Sequence, residues 1–140
     1  MNISVGILAY NESESIAKAI DSVFSQSIVQ RGACVLSGLN FVELIVVPNG
    51  CTDSTAEVSQ EVISQAMRSG DVGAWVRARV EPIDLPGKEN AGSRLVHELS
   101  DTEAQYLILI DAHVELQRPS VLETLVGSLE DNPSVHIPVV

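Results

Sequence analysis

The sequence predicts an α/β domain: a mainly parallel sheet with helices on both faces. Two observations carry this. Short apolar, β-branched runs alternate with amphipathic stretches in the order βαβαβαβαβ. Each run ends in turn or helix-start chemistry, so strands and helices are separately punctuated. At 140 residues, without internal repeats or low-complexity segments, positions 1–140 read as one domain.

Ile3 to Ala9 suits a buried first strand. Asn11 and Glu14 are spaced as a capping box for a helix carrying Ile16, Ile20, Val23 and Phe24. Ser27 to Asn40 reads as a surface loop, and Phe41 to Val47 as a second buried strand ended by Pro48-Asn49-Gly50. Asp53, the expected N-cap, opens a helix with Val58, Val62 and Ala66. Gly70 to Gly73 breaks it, and Trp75 to Asp84 is the third strand. Leu85-Pro86-Gly87-Lys88 turns into a helix with Ala91, Leu95 and Leu99. Tyr106 to Ile110 is the fourth strand. Pro119 suits the first position of a fourth helix, with Leu122, Leu125 and Leu129. Val135 to Val140 is the fifth strand, with Pro138 placing it at an edge.

Composition narrows the function. Eight basic residues against 19 acidic ones give a net charge of −11, so the basic face of a nucleic-acid binder is absent. An anionic ligand needs a local device: a metal ion, a helix N-terminus or a placed lysine. The longest uninterrupted apolar run, Tyr106 to Ile110, is far below the ~20 residues of a membrane span. The N-terminus lacks the basic start of a signal peptide, and Cys34 and Cys51 read as free thiols. A cytoplasmic location is expected.

In an open parallel sheet, ligands bind beyond the carboxyl ends of the strands, where the strand order reverses. The turn after the first strand, Ala9-Tyr10-Asn11-Glu12, has no glycine-rich fingerprint. Gly87-Lys88 does not complete a phosphate-binding P-loop, and no Gly-x-Ser-x-Gly elbow occurs. Dehydrogenase, P-loop NTPase and α/β-hydrolase readings lose their support. After the fourth strand comes Asp111-Ala112-His113. In an extended segment, residues two apart point to the same side, so a carboxylate and an imidazole can meet one divalent ion, Mn²⁺ or Mg²⁺. By spacing alone, the alternative is that Asp111 caps the following turn and His113 is merely exposed.

Four segments in order resemble the amino-terminal, nucleotide-sugar-binding half of a family 2 glycosyltransferase of GT-A fold. They are Tyr10-Asn11-Glu12 after the opening strand; Asn49 to Thr55; Gly87-Lys88 with Ala91; and Asp111 to Glu115 followed by Pro119. The resemblance covers essentially the whole chain. It departs at Pro48-Asn49, where the family often has two acids, and at Gly92-Ser93. Its metal motif is usually Asp-x-Asp; the Asp-x-His here is similar to that of the polypeptide N-acetylgalactosaminyltransferases, which binds Mn²⁺.

The resemblance implies a GT-A sheet that stops just after its fifth strand. It implies a nucleotide-diphospho-sugar as ligand, a UDP-sugar above all, contacted by Ala9, Tyr10, Glu12, Asn49, Lys88, Asp111 and Ala112. Asp111 and His113 are the implied metal ligands. The general base is expected in a second half, beyond residue 140, since Glu130-Asp131 matches the family's acidic pair only as a dipeptide. An open fifth strand invites a homo-oligomer. The main alternative is a non-catalytic nucleotide-binding fragment or subunit; a nucleotidyltransferase and an unrelated doubly wound domain are the others.

Overall fold

The computed structural model describes residues 1–34 and 36–132. The expected fifth strand, Val135–Val140, and any association through it lie outside the described residues. Four parallel strands form the sheet: β1 (Asn2–Ala9), β2 (Phe41–Pro48), β3 (Val76–Val80) and β4 (Tyr106–Asp111), in the order β3-β2-β1-β4. The chain steps outward from β1 through β2 to β3, then returns to place β4 on the other side of β1. The strand order therefore reverses between β1 and β4. There Leu8 pairs with Asp111, and on the other side Ala9 pairs with Pro48.

Strand alternation divides the apolar residues between two cores. Ile3, Val5, Ile7 and Ala9 of β1, with Val42, Leu44 and Val46 of β2 and Ile108 and Ile110 of β4, face the larger one. Three helices supply its other side: α1 (Ile16–Phe24), α2 (Thr55–Arg68) and α4 (Val121–Asp131). The opposite face carries a smaller cluster of Leu8, Ile45, Val47, Ile83, Ala91 and Leu95 under α3 (Lys88–Arg94). Helices thus cover both faces, unequally.

Several boundaries differ from the sequence reading. Asn11 and Glu14 form no capping box: Ser15 is the N-cap of α1 and has no side-chain cap bond. Asn11 instead takes a left-handed φ of 49° and turns its amide toward the loop after β2. In α2 the fully buried stripe is Thr55, Ser59 and Ile63, with Val58, Val62 and Ala66 partly buried beside it. The stripe has shifted by one position because Thr55 and Ser59 satisfy their hydroxyls locally, Ser59 Oγ donating to the Thr55 carbonyl at 2.7 Å. β3 ends at Val80, four residues early. Beyond it the Glu81 and Ile83 amides still donate to the Val46 and Pro48 carbonyls, and Ile83 bridges to Asn49, so pairing to β2 continues in interrupted form. The segment after α1 is not wholly superficial, because Ile28 and Val29 are buried. Its Gln26 is buried too; its side chain donates to the Arg118 carbonyl and accepts from the Leu122 amide, so it satisfies the start of α4. α4 begins at Val121 rather than Pro119, whose carbonyl accepts from Ser27.

The smaller core depends on a close approach. After Arg94 the helix widens into a π-helical turn, Leu95–Leu99, closed by the Ser100 amide on the Leu95 carbonyl. Leu95 lies fully buried directly on Gly6; a Cβ at Gly6 would stand 2.1 Å from Leu95 Cδ2. Glu43, a carboxylate on the buried strand β2, secures the far end of this turn. It accepts from Ser4 Oγ and the Asp101 amide, each at 2.6 Å, and pairs with Arg79 at 3.3 Å. Arg79 in turn donates to the Leu99 carbonyl.

A second set of bonds laces the loops after β1 and β2 together. Asn11 Oδ1 accepts from the Thr52 amide at 2.8 Å, and the Glu12 amide donates to Thr55 Oγ1 at 2.9 Å. Asp53 accepts from the Thr55 hydroxyl, from the Thr55 amide at 3.0 Å and from the Ser13 amide at 3.2 Å. It joins two loops, where the sequence suggested a simple N-cap; Ser54 holds that position. These bonds, the Thr55 hydroxyl foremost, hold the Asp53 carboxyl below its ordinary value of 3.8.

Two outcomes follow from this packing. Gly6→Ala should lower stability by about 1–3 kcal/mol, the usual range for overpacking. In urea the midpoint should fall at unchanged slope, and Gly6→Ala with Leu95→Val should cost less than the two changes summed. For Asp53 the folded pKa lies below the unfolded one, so its contribution is present at neutral pH and is lost as pH falls from about 4 through the folded value. The urea-midpoint gap between wild type and Asp53→Asn should be constant from pH 7 to pH 5 and narrow as pH falls below about 4; a pH-independent gap would contradict the role given to the charge.

Candidate functional site

At the reversal point between β1 and β4 the sheet opens into a cavity of about 370 Å³. That is ample for part of a small-molecule ligand. Four segments meet there. Leu8, Tyr10 and Glu12 come from the end of β1, and Asn49 from the end of β2. Pro86, Gly87 and Lys88 come from the entry to α3, and Asp111, Ala112 and His113 from the end of β4. A larger depression of about 530 Å³ lies at the amino ends of the strands, around Glu43, Arg77 and Arg79. There Glu43 and Arg79 are already paired, and Arg77 lies over the Phe41 ring.

The Asp111-Ala112-His113 segment is not extended as the spacing argument assumed. β4 stops at Asp111, and the Val114 amide donates to the Asp111 carbonyl at 3.0 Å, closing a β-turn. Both side chains still line the cavity, Asp111 half-buried at the strand end and His113 exposed in the turn. The turn is capped by the Asp111 backbone, while its carboxylate goes elsewhere: Lys88 Nζ stands 2.6 Å from Asp111 Oδ1. Lys88 is the first residue of α3, and its side chain is 66% exposed.

Asn49 organises the floor. It is 3% exposed; its Nδ2 donates to the Ala9 carbonyl at 2.9 Å and its Oδ1 accepts from the Gly87 amide at 3.2 Å. One amide hydrogen and one lone pair remain for a ligand. Gly50 makes this possible. Its φ is +61°, and a Cβ there would stand 2.6 Å from Pro86 Cβ and 2.8 Å from the Pro86 backbone, so only glycine lets the two turns touch. Glu12 lines the cavity while its carboxylate accepts from Ser15 Oγ at 2.7 Å. Tyr10 stands at the rim, 55% exposed.

Ala9 differs from the other named residues. It is buried in the larger core, 1% exposed, and reaches the loops only through its carbonyl. Leu8, Pro86 and Gly87 line the cavity without having been named as site residues. Leu8 was legible in principle: strand alternation puts it on the face opposite Ile7, beside Asp111. Pro86 was not, since only folding brings that turn against Gly50. Glu130 accepts from the Tyr106 hydroxyl at 2.6 Å, away from the cavity, and raises the tyrosine's pKa.

As a donor set, Asp111 and His113 offer one carboxylate and one imidazole. Among the described residues no group of three metal-ligating side chains occurs. The pair suits a cation whose other positions are filled by water or by oxygens of a bound anion. No helix among the described residues is long and apolar enough to cross a membrane.

The model of glycosyl transferase family 2 matches residues 4–140. No curated protein sequence matches the chain significantly. Among solved structures, S. aureus TarS 1-349 superposes with a TM-score of 0.64 at 14% identity, over 95% of this chain and 33% of that one. The same protein in complex with UDP gives a TM-score of 0.65 at 15% identity, again over 95% and 33%. Its complex with UDP-GlcNAc gives 0.62 at 16%, over 95% and 32%. The chain thus spans about a third of the length of these structures. With the family model matching nearly every residue and the parallel GT-A-like sheet in place, the chain belongs to glycosyl transferase family 2.

Proposed function

We propose that this chain is the donor-binding part of a glycosyltransferase, holding a nucleotide-diphospho-sugar, and a UDP-sugar above all, in the cavity at the strand-order reversal. The observation that carries the reading is the meeting of Asp111, His113 and Lys88 in one cavity of a family 2 fold. The TarS complexes with UDP and UDP-GlcNAc support the choice of nucleotide.

Each residue has a role in this reading. Tyr10, exposed at the rim, stacks on or flanks the base. Asn49 offers its remaining amide hydrogen and lone pair to a base edge, and Glu12 meets the base or ribose. Lys88 faces the diphosphate. Asp111 and His113 hold a divalent ion, Mn²⁺ or Mg²⁺, which when bound neutralises the charge developing on the nucleoside diphosphate as the glycosyl bond breaks. In a chain of net charge −11, these groups give a phosphate ligand its local counter-charge. Transfer also requires a general base for the acceptor hydroxyl, which this reading assigns to a second half of the enzyme. The unpaired thiols of Cys34 and Cys51 support a reducing, cytoplasmic setting.

Calorimetric titration with UDP tests this. Wild type should bind with Mn²⁺ present and lose at least ~10-fold in affinity with EDTA; loss of a ligand's outer-shell partner alone costs ~10–100-fold. His113→Ala in Mn²⁺ should behave like wild type in EDTA. Equal affinity with and without metal would overturn the metal role, and silence from UDP, GDP and TDP alike would overturn the donor site. Release of sugar from a UDP-sugar, with and without an acceptor, separates a working transferase from a binding module.

A further inference from the structure

We propose that Lys88 is the resident counter-ion of Asp111, which an incoming divalent metal ion must displace, and that the displaced ammonium becomes the partner of the diphosphate, so that metal and nucleotide bind cooperatively. This rests on the donor-site reading above and adds the order of events within it.

The argument begins with a competition for one atom. Lys88 Nζ stands 2.6 Å from Asp111 Oδ1, an oxygen that a metal ion would use. Among the described residues the other ion pairs, Arg79 with Glu43 and Glu81 and Arg94 with Glu98, join groups outside this cavity. A divalent ion bound through Oδ1 at ~2.1 Å would stand within about 5 Å of Nζ, and like charges at that range repel. Lys88 must then leave.

It can leave without disturbing the fold. Its backbone is fixed as the first residue of α3, but its side chain is mostly exposed, with the Asp111 ion pair as its polar tie. A lysine is a point charge on a flexible stem, so it can follow a new anion. The same cavity would hold the diphosphate, and the freed ammonium lies within reach of it. The pair therefore weakens metal binding in the empty protein and ceases to do so once phosphate oxygens engage Lys88. Linkage makes the effect reciprocal: the factor by which UDP tightens metal binding equals the factor by which metal tightens UDP.

The test measures Mn²⁺ binding to the full chain by the electron paramagnetic resonance of free Mn²⁺, first without nucleotide, then with saturating UDP. Lys88→Met and Lys88→Gln should each bind Mn²⁺ about two- to five-fold more tightly than wild type without nucleotide, the scale of an exposed ion pair. Raising the salt should shrink the difference. At saturating Mn²⁺ both variants should bind UDP more weakly, and the enhancement of Mn²⁺ binding by UDP should fall. Lys88→Arg, which keeps the charge, should stay near wild type. Circular dichroism verifies that each variant is folded. If wild type binds Mn²⁺ and neither neutral variant binds it more tightly, the displacement is overturned while the metal site stands. If neither wild type nor the neutral variants bind Mn²⁺ even with saturating UDP, the metal role falls and the displacement with it, while UDP binding alone decides the donor site.

Discussion

The parallel pairing of β1 with β2 on one side and β4 on the other is the constraint from which the rest of this structure follows. Because β1 is paired on both sides, its interior side chains are apolar or small, its one fully buried hydroxyl, Ser4, is bonded to Glu43, and the polar groups it delivers to the crevice emerge past Ala9. Because the chain leaves β1 toward β2 and later returns on the opposite side, the loops after β1 and β4 diverge and leave a crevice between them. Tyr10 and Glu12 enter that crevice from one strand and Asp111 from its neighbour. The smaller core obeys the same strand: Gly6 must lack a side chain for Leu95 to seat α3, and seating α3 is what puts Lys88 opposite Asp111.

Charge is the second theme. The net charge of −11 makes the protein's overall field unfavourable for a phosphate ligand, so attraction has to be local. The cavity holds one lysine, and it is already paired with a carboxylate. Under the proposed displacement, a bound cation would free that lysine for a diphosphate. On that proposal the Asp111–Lys88 contact bears on the chemistry rather than on stability, where an exposed ion pair contributes little.

Much of the fold was legible because its signals are local. Continuous apolar runs gave β1, β2 and β4, and Ala91, Leu95 and Leu99 at four-residue intervals gave the helix over the smaller core. What escaped depends on contacts distant in sequence. Nothing local shows that Asn11 leaves its expected cap for Thr52, or that Gln26 satisfies α4 across some ninety positions of chain. Asn11 and Gln26 sit in patterns that suit a local partner equally well, and tertiary geometry chose the remote one. In the site, the polar residues after the strands were visible as interruptions of apolar runs. The contribution of Pro86 was invisible, since it arises from the left-handed turn at Gly50. The Asp111–His113 pair was named by an argument about extended chain, yet the segment is a turn. The two side chains share a cavity because the turn folds over the crevice, so the spacing was informative for a reason other than the one that singled it out.

The site is prepared unevenly. On the β1–β2 side, Asn11, Glu12, Asn49, Asp53 and Thr55 are held by hydrogen bonds between loops, so that side exists before any ligand arrives. On the β4–α3 side the backbone is anchored by the Gly87 amide on Asn49 and by Pro86 against Gly50, but the Lys88 and Asp111 side chains are joined only by one exposed ion pair. A rigid side selects by shape and hydrogen bonding; a loosely paired one responds to charge. In this family 2 chain the nucleoside end of a donor would then meet preformed structure, while the diphosphate end would meet groups that rearrange. Discrimination between bases and sensitivity to metal should therefore reside in different halves of one cavity, and substitutions on the two sides should act on different terms of binding.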